Sequence, residues 1–479
     1  MHSHTLADPD WEIPRYSDSL DLRRLVQDYP PPPDYYRKVF RMSRDELRSL
    51  QERRFLATMD RGWQIPFFQR HWGKAGVAPG DIRGLDDLQR LPPYDVHDIR
   101  ESIERVPPFG DFMGTSEADR MAAPHVIHTS GGTTGLPRPM FYTPQDREIM
   151  AILGARRWAM QGIRPGDLVL VSYSMGLGNS GHAHREQLWH YTGAIPVMAG
   201  SGAATPTRRQ VELIRAWKIK ALVGGAAYLR HMATVARDEL GIDPRSLGIK
   251  MIGCGMGIED RAAIEELWDA PVFDGYGTHE SGAMAAECGH RDGMHINEDC
   301  FILETADPET GRMLGEGEHG TLYITTLYKQ SAPQIRFNVN DISALQPGVC
   351  ACGSTMRRLE RIYGRNDNMI KLRGANVFPE AVGAVVAQDA RTNGEFFIFV
   401  DQTGPAQTPE MDVWVEVADV GEAGLVRADL ERRMREVLSV RVTVTPVARG
   451  ELDRYTGTTR SSKIKRVLDK RKQPAESPT

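Results

Sequence analysis

The run His128-Thr129-Ser130-Gly131-Gly132-Thr133-Thr134-Gly135-Leu136-Pro137-Arg138 gathers hydroxyl groups and glycines into a loop that ends in a basic residue. Glycine lets a backbone approach an anion with no Cβ in the way, and successive N–H groups of such a loop converge into an anion-binding hollow. Ser130, Thr133 and Thr134 add hydroxyl donors and Arg138 adds charge, so the predicted chemistry is phosphate binding. A Gly/Thr surface turn reads the same in isolation. The loop also lacks the Gly-Lys-Ser/Thr ending of a P-loop, so its meaning depends on the motifs downstream of it.

A second set of candidate ligands lies nearer the C-terminus. Cys350 and Cys352 bracket Ala351, and Cys288 precedes His295 by seven residues. Three thiolates and an imidazole are a common structural zinc set, with His290 as the alternative to His295. Cys-x-Cys is a weaker sign than paired Cys-x-x-Cys, and four unrelated small residues in a reduced protein are the plain alternative. With all four positions filled by protein, such a metal would be structural.

The elements that must position these groups are read from bulk properties and periodicity. A chain of 479 residues exceeds one hydrophobic core, so two or more domains are expected. With 41% hydrophobic and 26% charged residues and a formal charge of −5, nothing pulls it globally toward nucleic acid or an anionic membrane. The five cysteines, Cys254, Cys288, Cys300, Cys350 and Cys352, are too sparse for a disulfide framework. The start, Met1 to Tyr16, lacks the apolar core of a signal peptide, and no uncharged apolar run has membrane-spanning length. A cytoplasmic location is the expectation.

Residues 1–41, with Pro30 to Pro33 and scattered aromatics, read as an arm. It either covers the body or contributes to a homodimer contact. From about 42 to 105 the pattern is mostly helical. Between 125 and 280 the runs Asp167–Tyr173, Ile195–Met198, Ala221–Val223, Met251–Ile252 and Pro271–Phe273 read as strands, and Val211, Ile214 and Trp217 recur at helical spacing. Alternating strand and helix predicts an α/β fold with a largely parallel sheet and ligands at the strand C-terminal ends. From 300 to 345 the texture is that of a β-subdomain, and 42–366 is taken as one large domain. Beyond it, Phe396–Val400, Val413–Val417 and Val440–Val444 read as strands, with Leu430, Met434, Val437 and Leu438 on one helix face. Residues 367–472 are expected to form a small α+β domain, followed by a disordered tail at 473–479.

Four more motifs come after the loop in order: Asp274-Gly275-Tyr276-Gly277-Thr278-His279-Glu280, Ile335-Arg336-Phe337-Asn338-Val339-Asn340-Asp341, Gly364-Arg365-Asn366-Asp367 continuing to Arg373-Gly374-Ala375-Asn376-Val377-Phe378-Pro379, and Ser461-Ser462-Lys463-Ile464-Lys465-Arg466. Together they resemble the adenylate-forming enzymes, the acyl-CoA synthetases and their relatives. Met294-His295-Ile296-Asn297-Glu298-Asp299 and Ile335–Asp341 look like the phenylacetate-CoA ligase branch, and the resemblance runs from about residue 50 to 471. Some relatives in this branch carry zinc in the region of Cys288, His295, Cys350 and Cys352.

The resemblance implies a large AMP-binding domain and a small mobile C-terminal domain that together activate a carboxylic acid. The carboxylate attacks the α-phosphorus of ATP, giving acyl-AMP and pyrophosphate, and a thiol then displaces AMP. On this basis Ser130, Gly131, Gly132, Thr133, Thr134, Gly135 and Arg138 hold phosphates, Tyr276 with Gly277 lies along the adenine, and Gly255 and Asp274 belong to the same cofactor-binding set. Glu280 holds Mg²⁺, Asp341 accepts from the ribose hydroxyls and Arg365 reaches the nucleotide. Asp367 matches the hinge. Lys463 matches the lysine that meets the carboxylate and α-phosphate during adenylation, in preference to Lys465, because Lys-Ile-Lys-Arg reproduces the family's Lys-Ile-x-Arg spacing.

The chain departs from the pattern at four places. His279 stands where Thr is usual, either as a packing change or as a contact to phosphate or substrate carboxylate; Arg138 replaces Lys; Gly257 and Gly383 stand where glutamates are common.

The segments Ser172–His182 and Gly224–Tyr228 are expected to wall the acid pocket, with Tyr173, Gly178, His182, Gly225 and Ala226 at the substrate. Their small residues leave room for a flat ring. The expected function is ATP-dependent activation of an aryl or arylacetic acid through acyl-AMP with transfer to CoA, using Mg²⁺ and a structural Zn²⁺. Transfer to a carrier-protein thiol or an amine, adenylylation of a cofactor, and a nucleotide-binding pseudoenzyme are the alternatives.

Overall fold

Helix α1 (Arg44–Gly62) starts at a capping box in which the Ser43 hydroxyl and the Glu46 carboxylate satisfy each other's backbone N–H groups. After further helices at Pro66–Lys74, Val96–Arg105 and Glu117–Ala122 comes an antiparallel ribbon of β1 (Val126–Ser130) and β2 (Arg138–Tyr142), a hairpin not foreseen from periodicity. Thr143 and Asp146 form a second capping box, with Pro144 at the first turn, and launch α2 (Pro144–Met160) through the middle of the protein. This computed structural model describes residues 13–130, 137–256, 259–366, 370–372, 375–377, 379–403, 408–438, 440–458 and 465–472.

The expected parallel sheet is present. β3 (Leu168–Val171) is followed by α3 (Asn179–Glu186), β4 (Ile195–Met198), α4 (Thr207–Trp217), β5 (Ala221–Gly225), α5 (Ala226–Leu240), β6 (Met251–Gly255) and β7 (Val272–Phe273). The strand order is β4-β3-β5-β6-β7, every neighbour parallel. Val169, Leu170, Val171, Leu222 and Val223 are wholly buried, as strands covered on both faces require. Val211 and Ile214 face this core, but Trp217 is exposed because it is the last residue of its helix.

β8 (Gly275–Thr278), β9 (Gly282–Glu287) and β10 (Met294–Ile296) enter an antiparallel sheet, and β11 (Phe301–Ala306), β12 (Gly320–Thr326) and β13 (Phe337–Ser343) enter another. β14 (Leu345–Gln346) and β15 (Arg358–Leu359) complete the first, and β16 (Gly364–Arg365) edges the second. The strand-rich texture expected from 300 onward is thus two sheets.

A separate apolar core begins with the short hairpin of β17 (Ile370–Leu372) and β18 (Ala375–Val377), which gives it Ile370, Leu372 and Val377. It holds α6 (Pro379–Ala387), β19 (Thr392–Thr403), β20 (Thr408–Val417), α7 (Ala423–Leu438), β21 (Thr443–Ala448) and β22 (Val467–Asp469), with strand order β21-β20-β19-β22. Leu430, Met434 and Leu438 are buried on α7, whereas Val437 is exposed beside them. β21 begins at Thr443, not Val440, although Val440 and Val442 are buried.

The described part of the arm packs on the body. Arg156 of α2 donates from Nε to the Pro30 carbonyl (3.1 Å) and lies over the Tyr35 ring (4.1 Å), while Nη1 meets Asp299 at 2.9 Å. Burial opposes ionisation of Asp299, yet Arg156 and Arg54 hold its carboxyl below the usual carboxylate range. Asp299→Ala strands Arg156 without an anion in the interior and should lower the unfolding free energy by about 3–5 kcal/mol, read from urea denaturation. Because the carboxyl is depressed, its stabilisation is present above its unfolded-state value and is lost as pH falls through the folded one.

Candidate active site

Three of the expected nucleotide residues meet although they come from three motifs. The Tyr276 hydroxyl donates to Asp341 Oδ2 (2.7 Å), and Arg365 Nη1 lies 3.1 Å from Oδ1 of the same carboxylate. Asp341 and Arg365 are direct register partners of β13 and β16. Asp274 is a local organiser. Burial raises its pKa, and its Oδ1 accepts from the backbone of Gly275 (2.7 Å) and Met256 (3.2 Å). Gly277 is forced by space, since a Cβ there would sit 2.3 Å from the Gly282 carbonyl oxygen. Gly255 ends β6 opposite Gly225 of β5, so both lie at the strand C-terminal ends, where Ala226 starts α5.

Arg138 leaves β2 and ion-pairs with Glu280, both nearly buried. Burial works against the Glu280 charge, but Arg138 and His279 hold its carboxyl below the usual range. Arg138 keeps two buried guanidinium nitrogens, Nε and Nη1, with no partner among the described residues. Ser130 is the register partner of Arg138. Gly131, Gly132, Thr133, Thr134 and Gly135 lie outside the described residues, as do Asp367 and Lys463.

His279 is tied to the start of α3 and to β2. Its Nε2 is 2.8 Å from Ser180 Oγ, and its carbonyl accepts from the Tyr142 hydroxyl (2.6 Å) and from Asn179 Nδ2 (2.9 Å). The loop before α3 is stitched to β1, because Thr129 N donates to the Leu177 carbonyl (2.9 Å) and Gly178 bridges to Thr129. Tyr173 stacks on His184 with centroids 4.7 Å apart, and burial pushes its hydroxyl up to about 12. His182 Nε2 lies 3.0 Å from each of the Met175 and Gly176 carbonyls and its ring lies on His128, so it braces this loop.

Lys329 escaped the sequence reading. It is 2% exposed, its Nζ sits 4.7 Å from the Tyr142 ring centre, and that nitrogen has no hydrogen-bond partner among the described residues. Burial draws its ammonium down to about 8. The signal was a lysine between Tyr328 and Gln330 in an otherwise uncharged stretch.

The cysteine set also converges. One potential ligand atom each from Cys288, His295, Cys350 and Cys352 lie within 4.8 Å of one another. Cys288 Sγ and Cys350 Sγ are 3.7 Å apart, and Cys352 Sγ is 3.3 Å from His295 Nε2. Tetrahedral zinc with its usual Zn–S length sets sulfurs about 3.8 Å apart, so the donors fit the metal. His290 is exposed. The arm covers this cluster through Phe40, whose ring centre is 5.4 Å from that of His295.

Residues 374–471 match the AMP-binding enzyme C-terminal domain family. The chain is 32% identical over 464 residues to the phenylacetate-coenzyme A ligase of Thermus thermophilus, covering 91% of this chain and all of that one. It is also similar to 2-hydroxyisobutyryl-CoA ligase in the postadenylation state with 2-HIB-AMP, with a TM-score of 0.81, 28% identity, and coverage of 92% and 94% of the two chains. The thioesterification-state structure of that ligase, with 2-HIB-AMP and CoA, gives a TM-score of 0.67 at 29% identity over the same shares. The protein is an AMP-forming ligase that makes an acyl-CoA through acyl-AMP. By sequence likeness over nearly its whole length and by its fold, the chain belongs to the phenylacetate-CoA ligase family.

Proposed function

We propose that this ligase activates an aryl or arylacetic acid. One observation carries the reading: the Tyr173–His184 ring stack is tied to the residue beside Glu280 through Ser180, whose carbonyl lies 2.6 Å from His184 Nδ1 and whose hydroxyl lies 2.8 Å from His279 Nε2. The likeness to phenylacetate-coenzyme A ligases supports the aryl choice. A small hydroxy acid is the second reading, favoured by the similarity to 2-hydroxyisobutyryl-CoA ligase. Comparing kcat/KM for phenylacetic, benzoic and 2-hydroxyisobutyric acids separates the two. The aryl acids should lead by about tenfold or more, and a lead for the hydroxy acid would overturn the aryl assignment.

In this reading the Tyr276 ring lies along adenine, Asp341 accepts from the ribose hydroxyls, and Arg365 stays beside Asp341 to face the nucleotide. Ser130, the 131–135 loop and Arg138 receive the β- and γ-phosphates. Arg138 is then shared between phosphate and Glu280, and the two nitrogens that have no partner among the described residues supply the extra donors. Glu280 would hold Mg²⁺, which offsets triphosphate charge when bound. His279, anchored by Ser180, Asn179 and Tyr142, directs its ring between acid pocket and phosphates. Lys463 brings a cation to the carboxylate and α-phosphate, and Asp367 is the hinge. The domains are 42–366 and 367–472, with 1–41 as arm and 473–479 as tail.

The higher TM-score against the postadenylation structure supports a pose of the C-terminal unit like that one. Cys288, His295, Cys350 and Cys352 would hold a structural zinc between β9, β10 and the arm. Protein purified without added metal should contain close to one zinc per chain by elemental analysis. Cys350→Ser should lower both that content and the melting temperature.

A further inference from the structure

Four charged side chains cross from the large sheet region to the C-terminal unit. Arg230 of α5 meets Glu259 at 2.9 Å and Glu395 of β19 at 2.5 Å, and also donates to the Asn393 carbonyl. From the other side Arg466 meets Glu395 at 2.7 Å and Glu259 at 3.5 Å. All four side chains are at most 16% exposed, so salt and water screen them weakly. Two cations and two anions alternate in one ring, and no charge is left over.

Glu395 is the hub. Its Oε1 takes Arg230, while its Oε2 takes Arg466 and the Thr458 hydroxyl (3.3 Å). Thr458 and Arg466 are described residues on either side of Lys463, so one carboxylate holds both flanks of the segment that carries it. The Arg466 backbone is fixed too, since Ile398 N donates to its carbonyl (2.8 Å). On the other side, Arg230 lies one helical turn after Ala226 of the acid-pocket wall, and Glu259 lies four residues after Gly255.

We propose that Arg230, Glu259, Glu395 and Arg466 form an interdomain charge latch that holds the C-terminal unit in the observed pose, the one like the postadenylation structure, and opens for thioester formation. This rests on the role given to Lys463 above. Arg230 and Glu395 are positioning residues, because they act on the reaction through the placement of Lys463.

The test is to separate the half-reactions in Arg230→Gln, Glu395→Gln and the double variant, with Lys463→Ala alongside. Each single variant should slow acyl-AMP formation by about tenfold at saturating ATP and acid, the size expected for one close charge pair. Thioester formation from supplied acyl-AMP should hold or rise. The double variant should be no slower than the slower single one, because both changes open one latch. Adenylation within twofold of the parent, or equal loss in both half-reactions, overturns the latch. If Lys463→Ala itself keeps adenylation, the reading of Lys463 fails. The latch is then judged by hydrogen exchange over 453–472, which must quicken in Glu395→Gln and overturns it if unchanged.

Discussion

Lys463→Ala should reduce acyl-AMP formation by about 10²–10³-fold while thioester formation from supplied acyl-AMP stays within about twofold. The reason is differential binding. Negative charge gathers on the α-phosphate only as the acid carboxylate attacks, so a cation delivered at that moment lowers the barrier without strengthening the ground state. The thioester step needs no such cation, because AMP leaves as a stable anion. KM for ATP should therefore change little. Equal loss in both half-reactions would place Lys463 in the fold instead of in the chemistry. Lys465→Ala is the matched control and should leave both rates near those of the parent.

Glu280→Gln should be as severe in a different way. It removes the carboxylate assigned to Mg²⁺ and leaves the nearly buried Arg138 without its anion. We expect kcat/KM for ATP-Mg²⁺ to fall by about 10²–10³-fold, with partial recovery at high Mg²⁺. The pH dependence comes from the Arg138 pair. Since Arg138 keeps the Glu280 carboxyl depressed, the pair stabilises the fold above the unfolded-state carboxylate value, and that contribution is lost as pH falls through the folded one. Glu280→Gln should flatten the acid limb of a stability-against-pH curve. An unchanged limb would rule out the Arg138–Glu280 pair as a source of stability.

Part of the candidate site was legible because its chemistry demands particular groups. Asp341 and Tyr276 sit 65 positions apart, yet each is expected at the nucleotide, and the fold joins them by one hydrogen bond. The parallel sheet was legible because buried strands such as β3 are unbroken apolar runs. The hairpin of β1 and β2 was not, since the exposed Val126 and Ile127 give it no burial signature. Trp217 and Val437 were misplaced because helical spacing marks a face without showing where neighbouring elements cover it. Lys329 and the Arg230–Glu395 latch depend on residues far apart in the chain, and no local pattern announces a charge pair formed across two cores.

The most direct measurement is mass spectrometry of a reaction containing ¹⁸O-carboxylate-labelled phenylacetic acid, ATP, Mg²⁺ and CoA. Attack of the carboxylate on the α-phosphorus and displacement of AMP by the thiol predict phenylacetyl-CoA and an equal amount of AMP carrying one ¹⁸O. Unlabelled AMP, or acyl-AMP accumulating while CoA is untouched, would contradict an aryl acid:CoA ligase.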